Sequence, residues 1–135
     1  MLIFALNCGS SSLKSAAIDT GRRARLLEFR MENLDTPDIA DAVDDALGRL
    51  RQGSGKPPDA IVHRIVHGGE RFLHATQIDD SVLGEIERLN RLAPLHNPPA
   101  LAAVRQARNQ FPQTPHVAVF DTAYHATLPR NSLSS

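Results

Sequence analysis

The stretch NCGSSSLKSAAID, residues Asn7 to Asp19, follows a short apolar run near the start of the chain. That run, Leu2 to Leu6, is typical of a strand that is buried on both faces. Leu13 to Ile18 ends at a turn signal and predicts a second strand, antiparallel to the first. Because Gly9 gives a tight turn its backbone freedom and serines cap turns well, the stretch predicts a β-hairpin with a serine-rich turn.

This turn has either a structural or a chemical role. It is not a Walker loop, because the second glycine of GxxxxGK[ST] is absent and a strand follows the lysine. A hairpin can nevertheless hold phosphate, since its backbone N–H groups and the hydroxyls of Ser10 and Ser12 donate hydrogen bonds and Lys14 adds a positive charge. The hairpin alone leaves an ordinary turn and an anion-binding loop both open.

Hydrophobic periodicity and cap residues predict helices packed on a mixed sheet. After the hairpin we predict an exposed strand at Arg25 to Met31. A helix follows that starts at Thr36 and Pro37, is broken by the loop RQGSGKPPD, and has the apolar stripe Ile39, Val43, Ala46, Leu47 and Leu50. The remaining predicted elements are a central strand at Ala60 to Val66, a helix capped by Asp80 or Ser81, a helix from Asn97 to Phe111, and a strand at His116 to Phe120. We find no internal repeat.

Composition limits the class of protein. The 135 residues suffice for one domain with a core. Fifteen lysines and arginines balance fifteen aspartates and glutamates, so the net charge does not steer the chain toward nucleic acid. The single cysteine excludes an internal disulfide, and the first apolar run is too short to span a bilayer or to serve as a secretion signal. We expect a cytoplasmic protein with small-molecule partners, without nucleic acid or membrane.

Arg64 stands in the otherwise apolar strand of VHRIVHGGERF. Burying an unpaired guanidinium is costly, so Arg64 reaches solvent, pairs with a carboxylate, or faces a cleft where an anionic ligand completes its hydrogen bonds. His63 and His67 raise the alternative of a metal site. We discount that alternative because the glycines after His67 end any helix and no thiol or HExxH motif accompanies the histidines.

Two further polar residues stand next to predicted helix and strand ends. His96 precedes a helix start in LAPLHNPPAL, where the imidazole either donates to an oxyanion or belongs to a helix entry stiffened by prolines. Asp121 follows the buried run VAVF and fits a metal ligand, a general base or a turn residue. Because ligands of open α/β sheets bind outside the carboxyl ends of strands, the polar clusters at strand ends predict one shared site.

Four stretches together carry a family resemblance. NCGSSSLKSAAID, VHRIVHGGERF, LAPLHNPPAL and VAVFDTAYHATLP, in this order and with these separations, resemble the N-terminal domain of the acetate/propionate/butyrate kinase family. The likeness runs from Leu2 to about Pro129. It implies a ribonuclease H-like α/β fold, shared with sugar kinases, actin and Hsp70, with residues 1–129 as the domain. The remaining residues 130–135, RNSLSS, are polar, and we expect them to form a disordered tail.

The resemblance also implies a function. It is acetate kinase activity, the reversible transfer of a phosphoryl group between ATP and acetate that gives acetyl phosphate and ADP, with Mg²⁺ as cofactor and a homodimer for the full-length enzyme. The residues implied by position are Asn7 for Mg²⁺, Ser10, Ser12 and Lys14 for the phosphates of ATP, Arg64 for the carboxylate or acetyl phosphate, Val66 and Leu95 for the acetate methyl, His96 for the migrating phosphoryl group, and Asp121 as the essential acid.

The chain departs from the family pattern at three points. Val62 stands where the family usually has glycine, Cys8 where it often has alanine, and family enzymes are much longer. We therefore expect a truncated N-terminal domain with little turnover of its own.

Other functions stay open. One alternative is a non-catalytic module that binds anions or acetyl phosphate, and another is a propionate or butyrate kinase. A ribonuclease H-type nuclease is disfavoured, because such sites need a carboxylate on the first strand, where this chain has Asn7.

Overall fold

The computed structural model describes residues 1–9, 11–65, 75–90 and 97–120. Within these ranges a short 3₁₀ turn spans Thr36–Asp38. The strands are β1 (Leu2–Cys8), β2 (Leu13–Asp19), β3 (Ala24–Met31), β4 (Ala60–Ile65), β5 (Thr76–Gln77) and β6 (His116–Phe120), and the helices are α1 (Ile39–Ser54), α2 (Asp80–Asn90) and α3 (Asn97–Gln110).

The strands form one six-stranded sheet in the order β3-β2-β1-β4-β6-β5. β1, β2 and β3 pair antiparallel, which confirms the predicted hairpin and the exposed position of β3 at the sheet edge. β4 pairs parallel with β1 and with β6, so it is central, as predicted. β5 adds two residues antiparallel to β6 and was not predicted, because a strand of that length has no periodicity to detect.

The described helices all pack on one face of the sheet, which we call the helix face. Alternate residues of β1, from Leu2 to Cys8, point to this face and are buried in a core shared with α1 and α3. The predicted stripe of α1 is buried there as well, because its spacing repeats with the helical period. We call the opposite side the open face. No described helix covers it, and in β1 it carries the half-buried Ile3, Ala5 and Asn7. The predicted burial of β1 on both faces is therefore wrong, because a continuous apolar run does not show which of its sides a helix covers.

Both ends of α1 and the cap of α2 differ from the predicted ones, and α3 ends one residue before the predicted Phe111. Thr36 starts the 3₁₀ turn, and α1 itself begins at Ile39. RQGSGKPPD does not break α1 at its first residue, because Gly55 ends the helix four residues later in a left-handed conformation (φ 78°) and donates its N–H to the carbonyl of Arg51. The cap of α2 is Asp79, whose Oδ1 accepts the N–H of Val82 at 2.8 Å.

The last turn of α1 packs closely on β3. A Cβ at Gly53 would clash with Cδ1 of Leu27, so a side chain at this position would require the end of the Leu27 side chain to move. In the part of the chain that the structure describes, no helix has both the length and the apolar character needed to cross a bilayer.

Candidate anion-binding site

Three polar side chains lie in one row across neighbouring strands. Asn7 of β1 is the register partner of Lys14 on β2 and of Arg64 on β4. Residues alternate between the faces of a strand, and the buried Leu6 and Cys8 beside Asn7 belong to the helix face. Asn7 therefore points to the open face, between an ammonium and a guanidinium group.

This row borders a cavity of about 300 Å³ on the open face. Its polar lining residues are Asn7, Lys14, Ser15, Arg25 and Arg64, and its apolar ones include Ala5, Ala16, Ile18, Val62 and Val119. No carboxylate is among the described residues that line it. A cavity with three cationic side chains and apolar walls suits a small anion that carries a short apolar group.

One carboxylate stands beside the cavity and partly balances its charge. Nζ of Lys14 lies 3.2 Å from Oε1 of Glu28, and Nη1 of Arg25 lies 2.6 Å from Oε2 of the same residue. The hydrogen bonds from Arg25 and then from Lys14 lower the pKa of the Glu28 carboxyl group. Glu28 is therefore charged at neutral pH and is shared by two of the cations that line the cavity.

The hairpin turn is closed by its own backbone. The N–H of Gly9 donates to the carbonyl of Ser12 at 2.8 Å, and the carbonyl of Ser11 accepts the N–H of Leu34 at 2.9 Å. A Cβ at Gly9 would lie 3.0 Å from Oγ of Ser12, so the missing side chain leaves room for this hydroxyl. The turn holds Ser12 half-buried, two residues before Lys14.

The structure brings together three of the predicted site residues, Asn7, Lys14 and Arg64. Ser12 lies in the turn and does not line the cavity. Ser10, Val66, Leu95, His96 and Asp121 lie outside the described residues. In the sequence, Val66 and Asp121 come directly after the last residues of β4 and β6.

The described residues do not fit a magnesium ion on their own. Asn7 offers one amide oxygen, but its neighbours in the row are both cationic, and Mg²⁺ prefers carboxylate, carbonyl and water oxygens. Among the described residues no group of three or more His, Cys, Asp or Glu side chains is placed to hold a metal. Asn7 as a Mg²⁺ ligand stays a prediction.

Sequence reasoning missed Arg25 and Glu28 as neighbours of the site. In a regular strand, residues three apart point to opposite faces. In β3 the register shifts between Ala17 and Ile18, so Ala17 pairs with Leu27 and Ile18 pairs with Arg25. This bulge at Leu26 turns both Arg25 and Glu28 to the open face. No single-residue signal in the stretch indicates it.

Two buried histidines, His63 on β4 and His116 on β6, lie on the side of the sheet opposite to Arg64. His63 is on the helix face, and its Nε2 lies 3.1 Å from Nδ1 of His116, with the rings stacked 5.4 Å apart. Nε2 of His116 donates to the carbonyl of Phe111 at 3.0 Å, so Nδ1 of His116 accepts the proton of His63 Nε2. Burial lowers the pKa of both imidazoles, that of His63 to about 3, and both are neutral. The pair ties β4 to β6 and to the residue that follows α3.

The comparisons with known proteins decide the family. A family model described as the acetokinase family matches residues 27–134 of this chain. The chain belongs to the acetokinase family. This acetokinase chain is 38% identical to an acetate kinase from Chromobacterium violaceum. The match covers 96% of this chain and 38% of the length of the Chromobacterium enzyme.

Two solved structures share the fold of this acetokinase chain. The crystal structure of Porphyromonas gingivalis acetate kinase matches with a TM-score of 0.81 and 30% identity, over 96% of this chain and 39% of that one. A propionate kinase from Francisella tularensis matches with a TM-score of 0.73 and 34% identity, over the same shares. The resemblance and the ribonuclease H-like fold are thus confirmed, and the chain spans about 38% of the length of the relatives it matches.

Proposed function

We propose that this chain forms the carboxylate- and phosphate-binding part of an acetate kinase, which transfers a phosphoryl group between ATP and acetate to give acetyl phosphate and ADP. The observation that carries the proposal is the row of Lys14, Asn7 and Arg64 beside a cavity with apolar walls. The names of the relatives support it.

The row suits the chemistry of this transfer. An oxygen of acetate is already a nucleophile, so the protein has to align two anions and to neutralise the charge on the migrating phosphoryl group. In the proposal Arg64 holds the carboxylate or acetyl phosphate, Lys14 faces the phosphoryl oxygens, and the Asn7 amide donates a hydrogen bond between them. Val62, which lines the cavity, adds an apolar wall where the family usually has glycine.

The remaining predicted residues keep their roles in the proposal. Asp121 and His96 act on the phosphoryl group, Val66 and Leu95 contact the acetate methyl, and Ser10 and Ser12 bind phosphate. Mg²⁺, when bound, would supply positive charge at the phosphates of ATP. We further propose residues 1–129 as the domain, a homodimer for the full-length enzyme, and the cytoplasm as its location.

The experiment also has to distinguish acetate from propionate and butyrate as the substrate of the enzyme. One solved relative is a propionate kinase, and one methylene group in an apolar pocket discriminates weakly. A coupled kinase assay with acetate, propionate and butyrate separates these substrates. Heat of binding with acetyl phosphate in a chain without turnover would instead favour a non-catalytic binding module.

The substitution Arg64→Ala tests the site itself. Isothermal titration with acetyl phosphate should show a loss of affinity of roughly tenfold or more, because a charge-assisted hydrogen bond contributes about 1.5–3 kcal/mol. Arg88→Ala is the matched control, since Arg88 pairs with Glu85 on α2 and does not line the cavity. Equal affinity in the two variants, or no binding by the unmodified chain, would contradict the proposed function.

A further inference from the structure

Glu28 is a carboxylate in contact with two cations of the cavity. It bridges Lys14 and Arg25, and both of these line the cavity while Glu28 itself does not. The bulge in β3 makes this arrangement, because it turns Arg25 and Glu28 to the same face as Lys14. Glu28 is therefore already paired with Lys14, the residue to which we assign the binding of phosphate.

We propose that Glu28 is a charge-selecting residue, an internal competitor for Lys14 that weakens the binding of anions and weakens it most for those with more than one negative charge. This inference rests on the proposed function, because it assigns Lys14 to phosphate. Glu28 lowers the charge of the three cavity cations by one. A second negative charge on the ligand doubles the repulsion that the ligand meets from Glu28.

The contacts of Glu28 are weak enough for competition. About a third of its side chain and about half of that of Lys14 are exposed to solvent, and exposed ion pairs contribute little. A bound phosphate can therefore separate Lys14 from Glu28. Arg25, which lies 2.6 Å from the other carboxylate oxygen, keeps Glu28 beside the cavity when this happens. The carboxylate stays ready to recapture Lys14 and promotes release of the anion.

The variant Glu28→Gln tests the proposal, because it removes the charge and keeps the shape. Isothermal titration at about pH 8 with inorganic phosphate, mainly a dianion, should show binding that is roughly threefold to tenfold tighter than in the unmodified chain. For acetate, a monoanion, the gain should be about the square root of that factor. Both gains should shrink as the salt concentration rises.

Glu32→Gln is the matched control. Glu32 comes directly after β3 and pairs with Arg30, but it neither contacts Lys14 nor lines the cavity. We expect its phosphate affinity to stay close to that of the unmodified chain. Thermal unfolding of each variant checks that the fold is intact.

The outcomes separate the inference from the function beneath it. If phosphate binding depends on Lys14 but Glu28→Gln behaves like Glu32→Gln, or binds phosphate more weakly, the inference is wrong and the anion site stands. If the unmodified chain binds no phosphate, or if Lys14→Ala leaves the affinity unchanged, the proposed function fails and the inference fails with it.

Discussion

At the scale of single residues, Asn7 shows how one neutral side chain keeps a site open for an anion. Its register partners, Lys14 and Arg64, carry positive charges on both sides of it. An amide is uncharged and does not itself neutralise either cation. A carboxylate of nearly the same size at this position would pair with them.

Asn7→Asp should therefore abolish most of the anion affinity. We expect phosphate to bind at least about tenfold more weakly, because the new charge neutralises the row from within. Isothermal titration measures this. Asn33→Asp is the control, since Asn33 is exposed and has a left-handed backbone (φ 59°) that aspartate tolerates. Similar losses in the two variants would show that Asn7 does not face the ligand.

At the scale of elements, a glycine stands in α1 where the helix meets Leu27 of β3. Glycine weakens a helix interior, yet Gly53 lies in the last turn of α1. Leu27 of β3 occupies the space that a side chain at Gly53 would need. Gly48 lies one to two turns earlier in the same helix, and a Cβ there would meet nothing within 4 Å.

The two glycines should respond oppositely to alanine. Gly48→Ala should raise the free energy of unfolding by about 0.5–1 kcal/mol, since alanine is the better helix former. Gly53→Ala should lower it by roughly 1 kcal/mol, because Leu27 has to move. Urea denaturation compares them. If both variants gain stability to the same extent, Leu27 moves away from position 53 without cost and this prediction is wrong.

At the scale of the whole molecule, the histidine pair makes stability depend on pH. In the folded protein the pKa of His63 is lowered from 6.5 to about 3. Below about pH 6.5 the unfolded chain therefore takes up a proton that the folded protein does not, and the free energy of unfolding falls as the pH falls toward 3. His116, whose pKa is also lowered by burial, acts in the same direction.

His63→Gln should remove one of the histidines that take up a proton only when the chain unfolds. Between pH 7 and pH 5 the unmodified chain should lose about 2 kcal/mol more stability than the variant, as one histidine that charges only on unfolding predicts. Urea denaturation at both pH values gives the difference. Equal losses would mean that His63 is protonated in the folded protein as readily as in the unfolded chain.

The sequence predicts this molecule wherever a pattern spans several residues. The apolar run of β1 and the helical stripe of α1 indicated both elements, and the stripe also indicated the buried face of α1. The run predicted burial on both faces of β1, but only its alternate residues are fully buried. The meeting of Asn7, Lys14 and Arg64 followed from strand ends that share one edge of a sheet. The bulge at Leu26 shifts one residue and leaves no such pattern, so Arg25 and Glu28 could not be placed.

The row of Lys14, Asn7 and Arg64 combines a local contact with a distant one. Asn7 and Lys14 meet across a hairpin turn, whereas Arg64 joins through a parallel pairing with a residue far earlier in the chain. A distant pairing costs more chain entropy than a hairpin, since a longer loop has to close. A phosphate that contacts both Lys14 and Arg64 would hold this distant pairing together. Its binding would therefore raise the free energy of unfolding of the whole domain.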